Sequence, residues 1–428
     1  MHKITENSGW SKRRTVLCMV IVFILVSFFR VGYICMSKTT KGGGAPDSLT
    51  YFKYSEIFLN GEFMELTNVP KIDRRIAERP GYPIFIAFVR SFFGKDFASL
   101  NNYNTFRHVL RIIAFLMYAL CAVLSYYIVL KVFGWKVSIL SMPFMIGSAS
   151  TAFWCHWQLT ESLFTLLILL SITGIISFSV SEKNNFLIMI LSGLSFGFAS
   201  LTRQVLFPMI FFIVIWFLIR GFQSNKRKVY MQSCLVFVLS ALLLYGGWMV
   251  RNVIVTGKTY STILRVGDKT KQSLFRLNTR RGIDWNSQNM DEKKKEFFRE
   301  YSNRPFKYKV LEITKRMLTK FSEFLQISPL GTHQTFWNSI WIKYYVIYNS
   351  VTFLLMLVSL FFINKENTGI RLLLWLIIFY FVAVHTVLMV GGGTFARYRV
   401  PIEPYMSMLA AYGLSRIYLI FRKKELVL

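Results

Sequence analysis

Leu159-Thr160-Glu161-Ser162-Leu163-Phe164 opens an apolar run that continues through Leu166-Leu167-Ile168-Leu169-Leu170 to Val180. A stretch of roughly 20 apolar residues is long enough to span a hydrocarbon core of about 30 Å. Its acid, Glu161, stands at the head of the run. Runs of this kind recur. The chain has 428 residues, is 54% hydrophobic and 17% aromatic, and has a mean hydropathy of +0.43. Ten spans can be read, at 15–36, 107–130, 137–155, 159–180, 186–201, 204–220, 230–249, 338–363, 371–390 and 400–420. Too few polar residues interrupt them for a large soluble helical protein. The expected fold class is therefore an all-α polytopic membrane protein.

The charges set the expected topology. With the N-terminus in the cytoplasm, the inside segments hold Lys12-Arg13-Arg14, Lys131 with Lys136, Lys183, Arg220 with Lys226-Arg227-Lys228, Lys365 with Arg371, and Arg422-Lys423-Lys424. Basic short loops belong inside. Lys12-Arg13-Arg14 before the first span reads as an uncleaved signal anchor, because no small-residue cleavage site follows. The outside receives two long segments, 37–106 and 250–337. In the first, Tyr82–Phe93 is apolar but too short to cross and reads as an interfacial helix. In the second, Asp291–Glu300 and Lys307–Phe324 read as helices of a small external cap.

The net charge is +30, from 51 Lys and Arg against 21 Asp and Glu. Inside loops account for part of it, and an anionic lipid or phosphate at the membrane face for the rest. No nucleic-acid motif is present, and the charge lies between spans. The cysteines Cys18, Cys35, Cys121, Cys155 and Cys234 form no CxxC pair, so neither a disulfide framework nor a thiolate metal site is expected. The histidines His108, His156, His333 and His385 are scattered.

Ionisable residues gather at the outer ends of spans. The first long loop carries Asp47, Asp73, Arg74, Arg75, Glu78 and Arg79, the last two within Glu78-Arg79-Pro80-Gly81-Tyr82-Pro83. Glu161 opens a span, and Leu201-Thr202-Arg203-Gln204 is a tight external turn. Gly247-Trp248-Met249-Val250-Arg251-Asn252 leaves the membrane outward. Arg397-Tyr398-Arg399-Val400-Pro401-Ile402-Glu403-Pro404 precedes the last span. Ionisable groups beside apolar spans are costly and usually face a cavity or one another. Arginine presents a planar fork suited to phosphate oxygens. A carboxylate in the same pocket can take a proton from a hydroxyl nucleophile. The plainer readings stand beside this one. Asp47 also suits a helix N-cap, Glu161 an acid favoured by the helix dipole, and Arg251 and Arg397 interfacial anchors.

In chain order, these motifs resemble the GT-C superfamily of membrane glycosyltransferases, in the family 39-like branch of protein O-mannosyltransferases and lipid A aminoarabinose transferases. The Asp47-Ser48-Leu49-Thr50-Tyr51 loop resembles the first external loop that holds the family's catalytic Asp. Thr160-Glu161-Ser162 resembles the second acidic position, and Leu201-Thr202-Arg203 the basic turn that approaches the lipid phosphate. Trp248-Met249-Val250-Arg251-Asn252 followed by Gly257 is similar to the Pro-Trp-x-x-Arg-Asn…Gly motif, with Gly247 in place of the proline. Arg397-Tyr398-Arg399-Val400-Pro401 is similar to the C-terminal Arg-Tyr-x-x-Pro signature.

The resemblance implies a polyprenyl-phosphate-linked sugar donor, a glycan, lipid or protein acceptor, and a site on the outer face of a bacterial cytoplasmic membrane. Asp47 is the expected general base, with Glu161 orienting the acceptor or assisting. Glu78, Arg79, Tyr82, Arg203, Arg251, Arg397, Tyr398 and Arg399 are the expected substrate-binding residues. No cofactor is called for by spacing, although a divalent metal at Asp47 and Glu161 is compatible with it. A transporter or flippase for an anionic lipid-linked sugar also accounts for the arginines. It would place ionisable residues near the midplane on broken helices in paired repeats, and no repeat is visible.

Overall fold

The computed structural model describes residues 12–36, 46–62, 79–94, 99, 101–148, 151, 160–181, 185–224, 226–257, 290–325, 339–362, 368–388 and 398–425. Among them the regular structure is helical, in fourteen α-helices. The first four are α1 (Lys12–Met36), α2 (Pro46–Leu59), α3 (Gly81–Arg90) and α4 (Tyr103–Phe133). There follow α5 (Trp135–Ile146), α6 (Glu161–Ser181), α7 (Phe186–Thr202), α8 (Met209–Gln223) and α9 (Arg227–Thr256). The last five are α10 (Met290–Asn303), α11 (Phe306–Leu325), α12 (Ser339–Phe361), α13 (Thr368–Ala383) and α14 (Glu403–Glu425). A π-helical turn, Val384–Leu388, follows α13, and short 3-10 turns occupy Gln204–Leu206 and Val400–Ile402.

Among the described residues five stretches are long and apolar enough to cross a membrane: Tyr103–Phe133, Glu161–Ser181, Gln204–Gln223, Arg227–Val255 and Thr368–Thr386. Trp135–Ile146, Phe186–Thr202 and Val346–Phe361 are apolar but shorter. The chain is thus an integral membrane protein in which five of the ten expected spans meet that measure. The expected span 137–155 is the main departure. Its helix, α5, carries Pro143 inside and ends at Ile146. Beyond it only Gly147, Ser148 and Thr151 are described.

The bundle inverts the rule of soluble proteins at its surface. Phe28 on α1, Phe211 and Phe222 on α8 and Leu235, Leu239 and Leu243 on α9 are all exposed, as helices facing hydrocarbon require. The interior is built by contacts of α4 with α1, α5 and α6, of α7 with α6 and α9, and of α14 with α5, α12 and α13. Small residues let α7 approach α9. A Cβ added at Gly193 would stand 2.4 Å from the Phe237 carbonyl oxygen, and one at Gly197 2.6 Å from that of Ala241. This Gly-x-x-x-Gly spacing packs one backbone against the other, which is how helices associate where lipid removes the hydrophobic drive.

Two corrections concern α9 and α3. The helix expected at 230–249 does not stop near Gly246-Gly247. α9 runs on through Trp248 and Arg251 and ends only at Gly257, whose φ of +65° is the left-handed conformation that terminates helices. Arg90, within the segment Tyr82–Phe93 read as an interfacial helix, is buried. Its guanidinium donates to the Phe52 carbonyl at 3.2 Å and Ser55 Oγ at 2.7 Å, pairs with Glu56 at 3.2 Å, and stands 4.2 Å over the Phe52 ring. It therefore clamps α3 onto α2 and leaves Phe88 on α3 and Phe92 just beyond it exposed. Helices form at both stretches read as helical after 290, as α10 and α11, and α11 rests against the π-helical turn.

Candidate active site

The site is organised by the head of α6 and the tail of α7. Glu161 is fully buried in the first turn of α6, where the helix dipole favours an anion. α7 stops at Thr202, and Arg203 takes an extended conformation (φ −144°, ψ 104°), which turns its side chain out of the helical path. Its guanidinium pairs with Glu161, and its Nε donates to Thr160 Oγ1 at 2.9 Å. The guanidinium carbon stands 5.3 Å over the Phe164 ring and 5.7 Å over that of Tyr398. A cation so enclosed is held by charge, hydrogen bonding and aromatic faces together.

The Arg79-Pro80-Gly81 turn abuts the same point. A Cβ at Gly81 would stand 2.6 Å from the Thr202 backbone nitrogen, so only glycine lets the Arg79-Pro80-Gly81 turn lie against the turn that carries Arg203. Tyr82, buried, meets Tyr51 of α2 edge to face at 5.3 Å. Asp47 is half-buried in the first turn of α2, one helical turn before Tyr51 and so on the same side of that helix. The other end of α2 reaches α9: Tyr54, Ile57 and Phe58 pack on Val255, and Phe58 lies 6.1 Å from Trp248. Trp248 in turn receives the Arg251 guanidinium at 4.8 Å, and Arg251 donates to Asn252 Oδ1 at 3.0 Å.

The C-terminal motif divides in two. Tyr398 reaches Arg203. Arg399 is taken up by Glu403, with Nη2 to Oε1 at 3.0 Å, and by Asn349 of α12. Ser148 donates to the second oxygen of Glu403. A small cavity of about 30 Å³ adjoins this second cluster, lined in part by Tyr118, Ser125, Ser148, Glu403 and Ser407. Asp47, Glu161 and Arg203 are not among its walls.

Of the residues expected from sequence, Glu161, Arg203 and Tyr398 are thus in direct contact. Arg79 (half-buried) and Tyr82 adjoin them through Gly81, and Asp47 and Arg251 join through α2. Arg399 is engaged elsewhere, and Glu78 and Arg397 lie outside the described residues. Glu161 spends its charge on Arg203, and among the described residues no group of three His, Cys, Asp or Glu side chains is arranged to hold a metal ion.

No protein-family model and no curated protein matches the chain. Solved structures do. ArnT from Cupriavidus metallidurans bound to undecaprenyl phosphate superposes with a TM-score of 0.54 at 12% identity, covering 95% of this chain and 61% of that one. The archaeal oligosaccharyltransferase AglB from Archaeoglobus fulgidus, in complex with an inhibitory peptide and a dolichol-phosphate, gives 0.58 at 14%, covering 98% and 52%. The chain has the GT-C membrane fold. It spans between about half and three fifths of the length of these two structures.

Three features of this region escape the sequence reading. Glu403 carries the ion pair that occupies Arg399, at the i,i+4 spacing already visible in Arg399-Val400-Pro401-Ile402-Glu403. Arg90 lies within the stretch read as interfacial, and nothing in that stretch signals its partners on α2. His385, set aside as scattered, is buried against Tyr398.

Proposed function

We propose that this protein is an inverting glycosyltransferase that moves a sugar from a polyprenyl-phosphate donor to an acceptor hydroxyl at the outer face of a bacterial cytoplasmic membrane. The observation that carries the reading is the Glu161–Arg203–Tyr398 cluster, against which the Arg79-Pro80-Gly81 turn is packed. It is a buried cation at the meeting point of three separate segments, in a fold shared with two structures that hold a lipid phosphate.

Chemically, the acceptor oxygen attacks the anomeric carbon as the bond to the donor phosphate breaks. One displacement inverts that carbon. Asp47, in the first turn of α2, takes the proton of the attacking hydroxyl. The leaving group departs as polyprenyl phosphate, and the charge that develops on it is stabilised by arginine. Arg203 is the principal phosphate contact, with Arg79, Arg251 and Arg397 supporting it. Glu161 fixes the Arg203 fork, and this refines its expected role as an acceptor-orienting acid. Tyr82 and Tyr398 wall the site. Arg399 braces the C-terminal motif through Glu403. The acceptor is a glycan, lipid or protein hydroxyl.

The test is Asp47→Asn in nanodiscs supplied with a labelled polyprenyl-phosphate-sugar and acceptor mixtures. Transfer is expected to vanish while donor binding persists. Wild-type turnover in the variant would remove Asp47 from the mechanism.

A further inference from the structure

His385 belongs to none of the motifs above, yet it is buried where they meet. It lies in the π-helical turn Val384–Leu388, a rare local geometry that recurs at functional sites. Its ring stacks on Tyr398, with centroids 4.6 Å apart and planes 16° from parallel, and on Phe381 at 6.0 Å and 22°. Tyr398 is a ring that the Arg203 guanidinium stands over, and Phe164 is the other. Phe381 meets Phe164 edge to face at 6.1 Å. His385 and Phe381 thus form a second layer behind both aromatic faces of the cation. The same stretch of chain grips the Arg203 turn from the backbone side, because the Tyr380 hydroxyl donates to the Val205 carbonyl. α11 closes over the π-helical turn.

We propose that His385 is a positioning residue, whose flat ring holds Tyr398 against Arg203 and so sets the orientation in which that guanidinium meets the donor phosphate. The inference rests on the reading of Arg203 as the phosphate contact. What matters is the planar surface of the ring. A phenylalanine at 385 preserves that surface. A leucine fills the space without it.

The experiment measures undecaprenyl phosphate affinity of the full chain in nanodiscs for wild type, Arg203→Ala, His385→Leu, His385→Phe, Tyr398→Leu and the His385→Leu/Tyr398→Leu double variant. Loss of one aromatic stack and of an aligned cation is expected to weaken binding about five- to tenfold in His385→Leu. His385→Phe should stay within about twofold of wild type. The double variant should be no weaker than Tyr398→Leu alone, since His385 acts through that ring. Donor kcat/KM should fall in His385→Leu and recover in His385→Phe, because the same guanidinium takes up the charge that develops on the leaving phosphate. Wild-type affinity in His385→Leu, equal weakness in the Phe variant, or additive losses in the double variant would each overturn the proposal. Unchanged affinity in Arg203→Ala would instead overturn the phosphate reading on which it stands.

Discussion

The Arg203–Glu161 and Arg399–Glu403 pairs are chemically alike and differently built. Arg399 and Glu403 are four residues apart at the start of α14, and their surroundings are polar: Asn349 of α12 and Ser148 just beyond α5. Arg203 and Glu161 are 42 residues apart and join the ends of two helices. Their surroundings are the faces of Phe164 and Tyr398. Both pairs are nearly excluded from solvent. The local pair depends on one stretch of chain and acts as a brace. The long-range pair exists only when the ends of α6 and α7 have come together, and the segment before α14 and the start of α3 then pack around it. A buried charge assembled from distant segments, at a cost that apolar side chains would avoid, is best explained by use.

That contrast predicts how each region fails. The largest effect belongs to the proposed base: Asp47→Asn should lower transfer by about 10²–10⁴-fold, read as labelled sugar passed to acceptor, with melting temperature unchanged. Next, Arg203→Ala should cost about 10²–10³-fold in kcat over donor KM. Arg203→Lys should not restore it, because a single ammonium cannot reproduce the planar fork. Glu161→Gln is expected to fall between these two Arg203 variants and wild type. The brace should fail in a different way. Arg399→Ala leaves Glu403 buried without its cation, and should cost about 3–5 kcal/mol of stability. The fraction that remains folded should keep near-normal donor affinity. A brace variant that unfolds little and loses donor binding would erase the distinction. The smallest effect is expected at Arg90→Met, which removes the clamp between α2 and α3. Lost hydrogen bonds to Phe52 and Ser55 should cost about 1.5–3 kcal/mol, with little added by the half-exposed Glu56. Thermal unfolding of the variant checks it.

Much of this architecture was legible in the residues. The run from Glu161 to Val180 declares a span, and the order of the motifs at the span ends declares the fold. Adjacency within the site was harder to read. α6 is apolar on every side, so no periodicity says which neighbour its head will meet. That Gly81 lies on Thr202 is a fact of tertiary approach, although a glycine after Arg79-Pro80 marks a place where backbones can come close. Arg399 was read as a ligand contact because arginines near phosphate sites invite that reading, and its i,i+4 acid was passed over. His385 carries no local signal at all. Its role depends on a π-helical turn and on Tyr398, thirteen residues later across a segment outside the described residues.

The most direct test of the central claim follows one bond. Purified protein in nanodiscs is given a polyprenyl-phosphate-sugar labelled in both sugar and lipid, with and without acceptor mixtures, and the Arg203→Ala variant is run alongside. The account predicts acceptor-dependent release of polyprenyl phosphate, with inverted configuration in the product and loss of the reaction in the variant. Donor that is bound, or carried across the bilayer, with its sugar–phosphate bond intact under every acceptor condition would contradict it.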